Sequence, residues 1–270
     1  MATETVAGPY GETRVASAAA GTALTTTAAF IALPLESKHL WVYGRNFSTA
    51  VVARWGTNPW LTILKTGDNN ASIPDDHSDV AQDADTATSV PLAMAITGTG
   101  FLWVGSHLQI RGVDIDMDGS NLNNTASVLT VRYWDGGALA DISDTDGTIS
   151  SGKSLKQDGT VSWTVPTGWE ASTLKEMGVD PRGIPPAYRD NKLFWTRWEW
   201  SAATDAGTAA DHMLAMNRST AYAGWSSALG LEEKISHGRI GGIGCIEAIT
   251  DAGTANLVVN VASGNGSKFR

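Results

Sequence analysis

Asp114-Ile-Asp-Met-Asp-Gly119 is the stretch whose residue types come nearest to a binding loop. Carboxylates at every second position offer hard oxygens to Ca2+, and a glycine after the third supplies the sharp turn such loops need. In that reading Asp114, Asp116 and Asp118 are metal candidates. The place of the bidentate glutamate holds Thr125, however, and Val113, Ile115 and Met117 interleave with the carboxylates. The same spacing therefore also describes a strand with one face in a core and the other in water. A second acidic turn, 141–146, offers a further set of hard oxygens between loops.

The remaining chemistry-bearing residues form no recognisable set. His39, His77, His107, His212 and His237 lack metal-ligand spacing, and neither H-E-x-x-H nor G-x-S-x-G occurs. Glu170, Glu176, Glu199, Glu232, Glu233 and Glu247 are the carboxylates from which a glycosidase pair would be drawn, but their linear spacing pairs none of them. Gly241-Gly-Ile-Gly244 lacks the lysine of a phosphate loop and the third glycine of a dinucleotide fold, and reads as close backbone packing. The single cysteine, Cys245, rules out an internal disulfide and a cysteine zinc cage, and its apolar surroundings predict a buried, inert thiol. The expectation is a protein that is not an enzyme and holds no cofactor.

Tryptophan is the compositional anomaly, with 11 residues against five tyrosines and five phenylalanines. Each side chain buries about 150–250 Å² and usually parks its N–H on a partner. Three uses fit: filling a core otherwise built from small residues, anchoring contacts between subunits, and stacking on sugars. Trp55, Trp60, Trp169 and Trp225 are the interface candidates. A formal charge of −9 leaves no surface to neutralise phosphates, so no nucleic-acid partner is expected. The longest apolar runs, such as 28–35, fall far short of the ~20 residues that cross a bilayer. Met1-Ala-Thr-Glu-Thr has neither the basic nor the apolar region of a signal peptide, so a soluble, reduced protein with no membrane partner is expected.

The elements that must position these residues are mostly strands. Alternation marks 112–119, 128–134, 160–165 and 193–201, where Phe194, Thr196, Trp198 and Trp200 oppose Trp195, Arg197 and Glu199. Helical spacing is confined to 209–216 and 226–234. Short strands between Gly, Asn and Asp turns predict an all-β fold, an antiparallel, jelly-roll-like β-sandwich. The expected division is a flexible N-terminal arm (1–27), a first strand group (28–65), a polar linker or long loop (66–90), the main β-sandwich (91–201) and a closing segment (202–270) with a C-terminal β-hairpin. Thr204-Asp-Ala-Gly-Thr-Ala209 recurs as Thr250-Asp-Ala-Gly-Thr-Ala255, which reads as one turn chemistry used twice.

Within 127–202 the motifs follow a set order: Tyr133-Trp-Asp-Gly136, Asp141-Ile-Ser-Asp-Thr-Asp-Gly-Thr148, Gly159-Thr-Val-Ser-Trp-Thr-Val-Pro-Thr-Gly-Trp169 and Phe194-Trp-Thr-Arg197. This order resembles a module found in structural proteins of tailed-bacteriophage virions. Phe194 stands where tyrosine is also common in that module, and Ala138-Leu139 replaces a frequent Ala-Trp. The resemblance carries no catalytic residues with it and implies a β-sandwich that assembles into a particle. It implies a capsid decoration (cement) protein on the exterior of a virion assembled in the host cytoplasm. Its partners would be the major capsid protein and copies of itself in a homotrimer. A tail or baseplate component, or a carbohydrate-binding receptor-recognition protein, is the alternative. An arm of 27 residues spans up to ~90 Å when extended, enough to add main-chain bonds to the sheet edge of a neighbouring subunit.

Overall fold

The computed structural model describes residues 5–8, 11–15, 21–33, 39–48, 51–69, 74–83, 85–95, 98–179, 190–218, 223–226 and 243–262, with backbone alone at 5–8, 11–15, 39, 223–226 and 262. No helix occurs among them, and the strands assemble into several antiparallel sheets. The all-β sandwich expected from the alternating segments is what the chain adopts.

The chain forms two compact units, with the second inserted into the first. The first opens with β1 (Thr5–Gly8), β2 (Gly11–Val15), β3 (Thr22–Leu24), β4 (Ala29–Ala32), β5 (His39–Arg45) and β6 (Val52–Pro59). The inserted unit begins with β7 (Leu61–Thr66), β8 (Asp75–Asp76), β9 (Val90–Pro91), β10 (Phe101–Ser106), β11 (Ile110–Met117) and β12 (Leu129–Trp134). It continues with β13 (Leu139–Asp141), β14 (Thr145–Asp146), β15 (Gly159–Ser162), β16 (Ala171–Ser172), β17 (Leu193–Trp200) and β18 (Ala209–Asn217). β19 (Ala223–Ser226), β20 (Ile243–Thr250) and β21 (Ala255–Ala262) return the chain to the first unit.

Each unit is a sandwich because each pair of sheets presents one apolar face to the other. In the first unit the order β1-β2-β21-β3, with β5 also on β21, faces the order β19-β6-β20-β4. Leu40, Val42, Leu257 and Val259 from one sheet share a core with Ala53, Trp55, Ile246 and Ala248 from the other. In the second unit β13-β12-β17-β10-β7-β8, with β16 on β17, faces β14-β15-β11-β18-β9. Here Ile63, Leu102, Val131 and Trp198 meet Val113, Ile115, Val161 and Met213. The alternation read from the sequence holds: Val113, Ile115 and Met117 are buried while Asp114 and Asp116 are half-buried on the other face.

Several expectations are corrected. Residues 209–216 form β18 and not a helix, because seven of its nine residues are buried and both faces are covered, so period 2 leaves no polar trace. The two closing strands make no hairpin: β20 pairs β4 while β21 pairs β2, β3 and β5, so they lie in different sheets. The segment 66–90 is no linker, since β8 pairs β7, β9 pairs β18, and the Ser78 hydroxyl accepts the Ile63 N–H at 2.9 Å. Unit boundaries fall instead at 58/59 and 218/219, with 82–84 grouped with the first unit. The segment expected as a free arm carries β1, β2 and β3, two of them paired with β21. The helix expected over 226–234 lies outside the described residues, apart from Ser226 in β19.

The repeated hexapeptide has a positional meaning. Each copy carries the chain from one sheet of a sandwich to the other, from β17 to β18 and from β20 to β21. The local chemistry differs, however: Gly253 takes φ of 62°, whereas Gly207 does not enter the left-handed region, and Thr208 N–H closes its turn on Asp205 O at 3.0 Å.

Gly105 on β10 is required by close approach. A Cβ there would lie 2.6 Å from the ring of Trp195, its cross-strand partner, whose Nε1 is fixed on Ser172 O at 3.1 Å. Gly105→Ala is therefore expected to cost about 1–3 kcal/mol in urea unfolding, and the loss should shrink in a Trp195→Leu background. Additive losses in the double variant would show that the ring is not what excludes the methyl group.

Candidate functional site

The tryptophan excess is chiefly a core framework. Trp163 packs edge-on to Trp169 and Trp198, each with ring centroids 6.3 Å away, and Trp169 to Phe194 at 5.8 Å and Tyr133 at 6.5 Å. Such pairs add to area burial because ring edges meet ring faces. The indole N–H groups are parked as well: Trp163 on Ile110 O, Trp169 on Trp195 O, Trp198 on Thr196 Oγ1 and Trp200 on Ser154 Oγ, at 2.9–3.2 Å. Two interface candidates are thereby corrected, since Trp55 and Trp169 are each 3% exposed within their own units. Trp60 and Trp134 are half-buried, and the side chain of Trp225 lies outside the described residues.

The metal candidates do not assemble. Asp118 sits at the end of β11 and accepts the Ser120 N–H at 3.0 Å and the Asn121 amide at 2.6 Å. Asp116 faces His212 across the ladder, Oδ2 to Nδ1 3.6 Å, while Asp158 caps the Met117 N–H at 3.0 Å. Asp211 lies in the bulge where the β11–β18 register shifts. Burial, and then the charges of Asp118, Asp116 and Asp158, raise its carboxyl above the ordinary range. Among the described residues no three His, Cys, Asp or Glu side chains converge to hold a metal ion. In the second acidic turn Asp146 caps Thr148, and Asp144 accepts the Val131 N–H at 2.9 Å while burial raises its carboxyl.

Two of the described glutamates are engaged separately. Glu247, 1% exposed, accepts the Asn58 amide at 3.0 Å. Glu176 is held down to about 2 by the Thr173 N–H, the Ser172 hydroxyl and Lys192. Glu232, Glu233, His237 and the side chain of His39 lie outside the described residues. Cys245 is buried, as its apolar surroundings predict.

Glu199 is the centre of a charged constellation built into a sheet. Its Oε1 accepts Arg197 Nε at 2.9 Å, Arg197 Nη2 at 2.5 Å and Arg132 Nε at 3.2 Å. Arg197 lies over the Phe101 ring, 4.4 Å from its centroid, and near Trp103 at 5.9 Å. The alternation of 193–201 already put Arg197 and Glu199 on one face. Arg132 was missed, because its pairing with Arg197 depends on the β12–β17 register, which strand periodicity does not reveal. Compared with protein-family models, curated proteins and solved structures, the chain matches none of them.

Proposed function

We propose that this chain is a structural protein of a tailed-bacteriophage virion, a capsid decoration (cement) protein that binds the major capsid protein and further copies of itself. One observation carries the reading: the residues through which the chain resembles virion proteins are framework residues of a single sandwich. Trp163 and Trp169 belong to its core cluster, and Phe194 packs against it. Asp135, Asp144 and Asp146 cap its turns through backbone N–H groups. A module whose motif specifies a rigid scaffold acts through the surfaces that the scaffold displays. The burial of the tryptophans favours this reading over sugar stacking, for which only Trp60 and Trp134 remain partly accessible among the described side chains.

Counting copies in purified particles by quantitative mass spectrometry is the test. Hundreds of copies per particle, removable without loss of the tail, are the expected result. A handful of copies would move the protein to the tail or baseplate, and absence from particles would overturn the proposal.

A further inference from the structure

Arg132 is only partly used by its own fold. Its Nε donates to Glu199 Oε1, an oxygen that already accepts two N–H groups from Arg197. Among the described residues no acceptor engages its Nη1 or Nη2. Arg132 and Arg197 stand directly opposite each other across the ladder, where like charges repel, and a single carboxylate oxygen serves both. Asp141, opposite Arg132 on β13, caps the Ser143 N–H at 2.7 Å in its own turn. The side chain of Arg132 is 36% exposed against 6% for Glu199, so its fork is anchored from below and open above.

Val128 lies on the same face. Strand alternation places Val128, Thr130 and Arg132 outward, while Leu129 and Val131 point into the core. Val128 is 59% exposed, the most exposed large apolar side chain among the described residues. Its backbone is nonetheless fixed, donating to Ser201 Oγ and accepting the Ser201 N–H, both at 2.9 Å. A pre-ordered arginine beside a fixed, uncovered apolar residue is the composition of a protein contact, in which arginine anchors and apolar side chains exclude water.

The geometry points to a docking surface on β12 for a neighbouring protein subunit that presents a carboxylate to the Arg132 Nη pair. An apolar side chain about 13 Å further along the same extended face would cover Val128. A planar carboxylate matches the open edge of the guanidinium bidentately, which a single lone pair does not. The inference rests on the assembly reading for the identity of the partner as a subunit. The site itself is tested without particles, so the two fail separately.

The probes are the acetylated, amidated peptide Leu-Ser-Thr-Ser-Glu and its reversed sequence, followed through the Arg132 Nε–Hε and Val128 methyl resonances of the full chain. One peptide is expected to shift both signals saturably, and its Glu→Gln counterpart to shift neither. Arg132→Gln should weaken binding at least tenfold, and Val128→Ser, an exposed change that leaves the core intact, a fewfold. The inference is overturned by no shift from either peptide, or by equal binding of the glutamine peptide. Affinity unchanged in Arg132→Gln overturns it too. Glucuronate moving Arg132 as strongly as the peptide, with Val128 unmoved, would assign the site to an acidic saccharide and overturn the protein partner.

Discussion

Trp198→Ala is expected to remove about 3–5 kcal/mol from the stability of the second unit, a large share of the roughly 5–15 kcal/mol that holds a typical domain folded. Trp198 is fully buried, edge-on to Trp163 and tilted 42° against Trp200 at 6.5 Å. Truncation opens a cavity between rings that are themselves fixed through their N–H groups to Ile110 O and Ser154 Oγ, so little can collapse into it. Trp198→Phe should cost less. It keeps most of the ring contact and removes only the N–H that Thr196 Oγ1 accepts, while that hydroxyl still donates to Val104 O at 3.2 Å. Urea unfolding read by near-ultraviolet circular dichroism separates the two variants. A loss below about 1 kcal/mol for the alanine variant would mean that the aromatic cluster does not carry the core.

How much of this was legible in the sequence follows from where periodicity carries information. β11 and β17 each have one face in the main core and the other lined by charged or smaller satellite contacts, so their alternation gave both faces correctly. β18 is covered on both sides, and a strand of Ala, Met and Leu then looks like a helix. The nested arrangement of the two units was illegible for a different reason. Residues 52–55 of β6 and 223–226 of β19 pair although the whole inserted unit lies between them, and nothing local records so distant a partner. The destination of β20 and β21 fails similarly, because two strands joined by a short turn suggest a hairpin whichever sheets receive them. At the candidate site the sequence supplied Arg197 and Glu199 on one face, and only the register added Arg132. The three alternating aspartates looked like a loop because their spacing of two is shared by calcium loops and strands. The strand reading prevails in the structure, since Val113, Ile115 and Met117 occupy the core.

The second large loss is expected at Asn123, a residue with no place in the motif argument. It is fully buried, and the two N–H groups of its amide are shared among Ser154 O at 2.8 Å, Thr125 O at 3.0 Å and Ser127 Oγ at 3.1 Å. Its Oδ1 accepts the Thr125 N–H at 3.0 Å and the Asp205 N–H at 3.2 Å. Its own N–H donates to the carbonyl of Leu155, a buried residue held at φ of 59° with its N–H on Thr148 Oγ1. One side chain thus joins three loops, one of them locally strained at a cost of about 1–3 kcal/mol. Asn123→Ala strands several buried polar groups at about 1–3 kcal/mol each, and a net loss of about 3–5 kcal/mol is expected once water reaches some of them. Asn123→Asp should be at least as costly at neutral pH, because a carboxylate oxygen would face the Ser154 and Thr125 carbonyls. Burial and those carbonyls would raise the introduced carboxyl above its unfolded value. The folded state then binds the proton more tightly, so the deficit is full above the folded pKa. It shrinks as pH falls toward the unfolded value near 3.9. Unfolding free energies of Asn123→Asp relative to the parent, measured from pH 7 to pH 4, should therefore converge. A pH-independent gap would mean that this position does not need the donor the structure gives it.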